Sequence, residues 1–255
     1  MSSFTSRWPQ ARSTLKLSTT TTIIGVNALM WVAILVSGGV ASKLTQWLAL
    51  TPVGTCWVLG QPGSYLPGAS QGACVIQPGL SWTPGVATGA YWQVLSSAFV
   101  HVSFYHIAFN MMALFFIGAQ VERVVGRRLY LGVFAVSALA GSACVLWLSS
   151  PVSMTLGASG AVFGLMGVLL VIVWRNRGDV RSVLVWLGLN VAYTFLAGHS
   201  ISWQGHLGGL VGGALAGFVI VFAPRVDRQR WQWAGLSAIA VTAVVLIVIR
   251  VIQLR

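Results

Sequence analysis

Seven apolar stretches, each near the length that crosses a lipid bilayer, limit what this chain can fold into. They lie at about 22–40, 92–117, 128–149, 157–174, 182–197, 203–223 and 234–252. About 20 residues at about 1.5 Å rise cover a hydrocarbon core roughly 30 Å thick. Lipid offers the backbone no hydrogen bonds, so stretches of this length must be helices that satisfy their own amides. The expected fold class is therefore all-α, a polytopic membrane helix bundle. Composition agrees: 56% of the 255 residues are hydrophobic and 7% charged, against about 25% charged in a soluble domain. The length suits one compact bundle rather than two domains.

The net charge of +12 would suggest a nucleic-acid partner in a soluble protein, but here the placement of the charges gives them a different use. Arg123, Arg127 and Arg128, then Arg175, Arg177 and Arg181, then Arg225, Arg228 and Arg230 follow the second, fourth and sixth stretches. Arg7, Arg12 and Lys16 stand in the N-terminal tail, which leaves only Lys43, Arg250 and Arg255 of the 15 basic residues for the other face. The positive-inside rule then puts the N-terminus in the cytoplasm and the C-terminus outside a plasma membrane. The tail resembles a mitochondrial presequence in composition, but a cytosolic basic tail fits the topology better. No nucleic acid is expected as a partner; the lipid bilayer is.

This reading divides the chain into a cytosolic tail (1–21), a six-helix core (22–223) with an extracytoplasmic loop (41–90), and a cytosolic linker leading to a seventh helix (224–255). The loop is rich in Gly, Pro and Ser and holds Cys56 and Cys74. On an oxidising face these could close a disulfide, worth about 3 kcal/mol by loop entropy; the alternative is two free thiols. Their common extramembrane loop favours the bond. Cys144, in an apolar run, reads as a small packing residue.

Several chemistries are excluded. Glu122, Asp179 and Asp227 are the only acids, and all three read as lying in short polar breaks. No aspartate pair is available within a span, which removes an aspartyl membrane protease. No HExxH occurs, which removes a zinc protease of that kind. A pump built on an intramembrane carboxylate is disfavoured, and neither metal nor cofactor is expected.

What remains is histidine, serine and asparagine. Polar groups inside a bilayer are costly and therefore point to function. With the topology above, Ser159, His206, His101, His106 and Asn110 all fall in the outer half of the membrane. Serine is a poor nucleophile without a general base within hydrogen-bond reach, and a neutral imidazole can take its proton. No carboxylate lies on that side, so a catalytic site here would be a dyad. His106 and Asn110, at i and i+4, share a helix face and could donate to a developing oxyanion. The plainer alternatives are a serine bonded to its own backbone, a histidine that satisfies a neighbouring helix, and an asparagine that joins two helices. His199 reads as a structural loop residue. Gly205, Gly209, Gly213 and Gly217 form a smooth ridge, and Gly160 and Gly164 repeat the spacing with Gly157 and Gly167 nearby. Such faces let helix backbones approach closely, which would bring Ser159 near His206.

Four segments carry a resemblance: HVSFYHIAFN at 101–110, GAQVERVVG at 118–126, GASGAVFGLMG at 157–167 and GHLGGLVGG at 205–213. In this order and on these spans they are similar to the rhomboid family of intramembrane serine proteases. The resemblance implies a rhomboid-like six-helix core plus one C-terminal transmembrane helix. It makes Ser159 the nucleophile and His206 the base of an acyl-enzyme mechanism. Asn110, His106 and the Ser159 N–H would stabilise the oxyanion. His101 would brace the outer loop, Phe163 stack on His206, Gly157 shape the oxyanion pocket and Gly209 close the helix contact. Implied substrates are single-pass or polytopic membrane proteins, cut in transmembrane segments near the extracytoplasmic side through a wet, outward-opening cavity. Where the family often has Trp-Arg before the second span, this chain has Trp92-Gln93, so that arginine's contacts must be replaced. The main alternative is a catalytically weak rhomboid-like protein that binds or escorts membrane clients. A solute transporter is the other, and no convincing inverted repeat supports it. The oligomeric state is not implied.

Overall fold

The computed structural model describes residues 18–196 and 202–255; the tail residues Arg7, Arg12 and Lys16 and the loop residue His199 lie outside that range. The first helix, α1 (Thr19–Val36), starts at Ser18, whose hydroxyl accepts from Thr21 N. At the far end the chain forms a short helix, α2 (Lys43–Leu48), and then β1 (Thr55–Val58), β2 (Tyr65–Leu66), α3 (Gln71–Ile76) and β3 (Leu80–Thr83). The strands make an antiparallel sheet in the order β2-β1-β3, with Cys56 opposite Trp82 and Leu66. Cys56 and Cys74 are joined in a disulfide with Cα atoms 5.8 Å apart, which fastens α3 to β1. The bundle is helical, and the loop after α1, rich in Gly, Pro and Ser, holds this small sheet. Its strands are too short, and too broken by Gly and Pro, to show a period of two.

The second apolar stretch divides differently from the expectation. It was expected to span 92–117, but the continuous membrane-length helix is Phe104–Val125. This rod consists of α5 (Phe104–Ala113), a π-helical turn at Leu114–Gly118, and α6 (Ala119–Val125). The apolar residues before it form α4 (Gln93–Ser96) and a tight turn at Ser97–Phe99, which belong to the loop. Gln93 accounts for the division. Its fully buried side chain accepts from Thr51 N (3.0 Å) and donates to the carbonyls of Trp47 (3.3 Å) and Pro84 (3.0 Å). The indole of Trp92 donates to the same Trp47 carbonyl and stacks on the Trp47 ring. Gln93 thus takes over the loop-tying role expected of an arginine. Gln93→Leu would leave the Thr51 N–H and the Pro84 carbonyl without this partner, while the Trp47 carbonyl keeps the Trp92 indole, and is expected to cost about 3 kcal/mol. In a thermal melt this would read as a midpoint lower by roughly 10 °C.

Glu122 also differs from the expectation of a residue in a polar break. It sits buried in α6, where its carboxylate accepts from Thr19 N (2.7 Å), Thr20 N (2.8 Å) and Thr20 Oγ1 (2.6 Å). It therefore satisfies orphan amides at the positive end of α1, and Arg127 Nε donates to Thr19 Oγ1 beside it. The GAQVERVVG segment joins the second span to the first in this way.

The remaining helices are α7 (Arg127–Leu148), α8 (Ser159–Arg175), α9 (Arg181–Leu196), α10 (Trp203–Phe222) and α11 (Arg228–Leu254). Among the described residues, five helices are long and apolar enough to cross a membrane, and two shorter apolar helices, Ser159–Arg175 and Arg181–Ala192, accompany them. The protein is a multi-pass membrane protein. Its centre is α8, in which every residue from Ala161 to Leu169 is buried. Packing against α10 runs through glycine. A Cβ at Gly209 would collide with the Gly160 carbonyl, one at Gly213 with the Gly164 backbone, and one at Gly167 would lie 2.7 Å from the Leu210 carbonyl. α7 closes on the same pair, since a Cβ at Gly141 would lie 2.9 Å from the Gly205 carbonyl. Outside this core, α11 leans on α7 and α10, with Trp233 against Gly132 and Gly235 against Val219.

Candidate active site

Helix α8 has only 17 residues, about 26 Å at helical rise, so it falls short of a full bilayer crossing. Its N-terminus carries Ser159 and is held by the loop before it. Leu50 and Thr155 exchange two backbone bonds of 2.8 Å, and Val53 N donates to the Pro151 carbonyl. Gly157 N donates to the Ser97 carbonyl at 2.9 Å, and Ala158 N to His101 Nε2 at 3.3 Å. His101 is fully buried and packs edge-on against His106, the ring centroids 5.1 Å apart. These contacts fix the last residues before Ser159.

Gly157 turns the chain at φ +120°, a conformation that side chains rarely adopt. A Cβ there would also lie 2.5 Å from Cε1 and 2.7 Å from Nε2 of His106. The missing side chain is what lets the His106 ring reach the loop. Ala158 provides no side-chain cap, and the first intrahelical bond of α8 is Val162 N to the Ala158 carbonyl. The N–H groups of Ser159, Gly160 and Ala161 thus form an uncapped helix N-terminus, a setting that favours negative charge.

His206 stands in the first turns of α10, which Ser202 caps through Gly205 N. The glycine contacts lay the turn bearing His206 against the turn bearing Ser159: Gly160 meets Gly205 and Gly209, the immediate neighbourhood of the histidine. Phe163 lies flat on the imidazole, with centroids 4.2 Å apart and 10° between planes. Nδ1 of His206 is 2.9 Å from Thr194 Oγ1 on α9. Nε2 is buried with no hydrogen-bond partner, as is His106 Nε2, so the Ser159 hydroxyl is not bonded to the histidine in this arrangement. Buried polar groups in proteins are nearly always paired. With His101 Nδ1, three imidazole nitrogens thus stand bare around one helix N-terminus. Asn110 is buried one turn beyond His106, and its amide donates to the His106 carbonyl at 3.0 Å. A cavity of about 40 Å³ opens beside Ser159, lined in part by Ser97, Ser142 and Ser202.

Of the candidate site residues, Ser159, His206, His101, His106, Asn110, Gly157, Phe163 and Gly209 thus gather at the Ser159 end of α5, α8 and α10; His199 lies outside the described residues. Sequence reasoning missed Thr194, the polar partner of His206. A threonine and an asparagine four residues apart in the fifth apolar span were the available signal, since polar side chains are rare there.

A multi-pass helical membrane protein with a serine and a histidine brought together by two glycine-packed helices is the class that these features define. Residues 88–223 match the family model described as the Rhomboid domain, and the chain belongs to the rhomboid family. It is 34% identical over 136 residues to "Rhomboid protease GluP" of Bacillus subtilis, covering 51% of this chain and 26% of that protein. With "Rhomboid protein 1, mitochondrial" of Saccharomyces cerevisiae it shares 32% over 152 residues, 54% of this chain and 44% of the relative. With "Rhomboid-like protease 1" of Toxoplasma gondii it shares 31% over 172 residues, 64% and 58% of the two chains. The matches thus span less than two thirds of each of these relatives.

Proposed function

We propose that the protein is an intramembrane serine endopeptidase that cleaves transmembrane segments of other membrane proteins. Ser159 attacks the scissile carbonyl and His206 Nε2 takes its proton, giving an acyl-enzyme that water then hydrolyses. The observation that carries this reading is the bare, buried Nε2 of His206 beside the uncapped first turn of α8. The reading requires the Ser159 hydroxyl to reach that nitrogen, and catalytic hydrogen bonds are often loose before substrate arrives.

The developing oxyanion would meet the Ser159 N–H and the His106 ring. Asn110 would join them once its amide leaves the His106 carbonyl. The cavity of about 40 Å³ beside Ser159 exceeds the roughly 10–15 Å³ that a water needs, so it supports a supply of the hydrolytic water. A peptide bond within a helix is shielded by its own hydrogen bonds, so the substrate must unwind to present a carbonyl to Ser159. The arginine clusters at the opposite end of the bundle support a cytoplasmic N-terminus and an extracytoplasmic active site in a plasma membrane.

A second reading, a weakly catalytic protein that binds membrane clients, draws on the unbonded Ser159 and on the Asn110 amide turned back to its own helix. A serine-reactive fluorophosphonate applied to the full chain in lipid vesicles separates the two. The protease reading expects covalent labelling of wild type at Ser159 and none of Ser159→Ala. Folded wild-type protein that stays unlabelled would leave the client-binding reading in place.

A further inference from the structure

The hydrogen bonds around Thr194 determine which nitrogen of His206 carries the proton. The Thr194 hydroxyl has a single hydrogen, and Oγ1 lies 2.7 Å from the Asn190 carbonyl one turn back along α9. A carbonyl only accepts, so that hydrogen points to Asn190 and Oγ1 is left as an acceptor. The other group at hydrogen-bond distance is His206 Nδ1, at 2.9 Å, and it must therefore be the donor. A neutral imidazole carries one N–H, so a proton on Nδ1 leaves Nε2 as a lone pair, and Nε2 is the nitrogen that the structure leaves unpartnered.

We infer that Thr194 is a positioning residue that holds His206 in the Nδ1–H tautomer, with Nε2 directed to the Ser159 side as the base. This rests on the protease reading above. It gives the site a third member without a carboxylate: the Asn190 carbonyl orients the threonine hydroxyl, and the hydroxyl orients the imidazole. When His206 accepts the serine proton it becomes cationic, and its bond to Thr194 becomes a charge-assisted one, stronger than the neutral bond at rest. The interaction therefore strengthens towards the transition state, as a catalytic contact must.

The location of Thr194 adds a dependence on helix position. Among the described side chains of α9 only Val183 and Thr194 are buried, while Leu184, Val185, Leu189 and Leu196 are exposed. The bond from Thr194 to His206 ties this end of α9 to α10. Displacement of α9 away from the bundle would break that bond and release the tautomer.

The test uses the full chain in phospholipid vesicles, with ¹⁵N-labelled histidine and a fluorophosphonate probe. The His206 signals are identified as those missing from a His206→Ala spectrum. Wild type is expected to show a protonated Nδ1 and an unprotonated Nε2. Thr194→Val keeps the shape of the side chain and removes the acceptor; it is expected to mix the tautomers and slow labelling of Ser159 about tenfold, the equivalent of one hydrogen bond. Thr194→Ser restores the hydroxyl and should recover both the spectrum and the rate, which a packing role for the threonine would not produce. A wild-type spectrum with the proton on Nε2, or a Thr194→Val spectrum and labelling rate equal to wild type, overturns the inference. If wild type shows the expected tautomer but no labelling, the protease reading fails and the tautomer assignment stands.

Discussion

Ser159→Ala, His206→Ala and the double variant are expected to lose cleavage of a membrane-protein substrate to the same residual level, each by about four to six orders of magnitude. In the proposed mechanism the serine and the base act as a unit: without the imidazole the hydroxyl keeps its proton, and without the hydroxyl the imidazole has nothing to activate. Losses from such a pair do not add, so the double variant should be no worse than either single one. The helix N-terminus and the oxyanion donors remain in all three, and any residual rate comes from them. The substitutions differ in their structural consequences. Ser159 is only half-buried, and its removal should leave thermal stability unchanged. His206 is 7% exposed and stacked on Phe163, so its truncation also opens a void and should lower the melting midpoint. Cleavage assays read beside thermal melts separate the two effects. A His206→Ala chain that still cleaves near the wild-type rate would rule out the proposed base.

Gly209→Val is expected to have the largest effect on folding. The first side-chain atom would run into the Gly160 carbonyl, with Gly160 C 2.6 Å away and Cα 3.0 Å away. Those atoms are backbone in the first turn of α8, so no rotamer change can give way. Helices α8 and α10 would have to separate along the whole glycine seam, since the next contact, Gly213 on Gly164, is equally close. Overpacking of a rigid contact costs about 1–3 kcal/mol or more, and here the separation also withdraws His206 from the turn of Ser159. Loss of activity and a melting midpoint lower by about 10 °C are expected together. Gly25→Ala on α1 is the control, because a Cβ there meets nothing within 4 Å; an alanine in that helix should be neutral or slightly stabilising. A Gly209→Val protein that melts and cleaves like wild type would show that the seam does not hold the site together.

Some residues reveal their partner by type and others do not. Ser159, His206, His106 and Asn110 stand out in sequence because few side chains in an apolar span can carry chemistry, and His106 and Asn110 also lie four residues apart on one helix face. Cys56 and Cys74 were legible for a similar reason, as two thiols in one extramembrane loop, and the structure joins them. Gln93 and Glu122 carried no such mark. The first sits in an apolar run that reads as part of the second span, and it lies instead in the loop helix α4, where its amide bonds backbone groups of Trp47, Thr51 and Pro84. The second reads as a break between spans, and it is buried because the N-terminus of α1, about a hundred residues earlier, supplies the N–H groups that hold its charge.

The division follows from the range of the forces involved. Transfer of a stretch of side chains into lipid is close to a sum over neighbours in the chain, so the sequence by itself determined that this is a bundle of membrane helices and which glycines and polar side chains it carries. The sites of close packing and the direction of each hydrogen bond depend on groups brought together from distant parts of the chain. The tertiary structure alone therefore decided that the second span starts at Phe104, that a small sheet tops the loop, and that Thr194 meets His206.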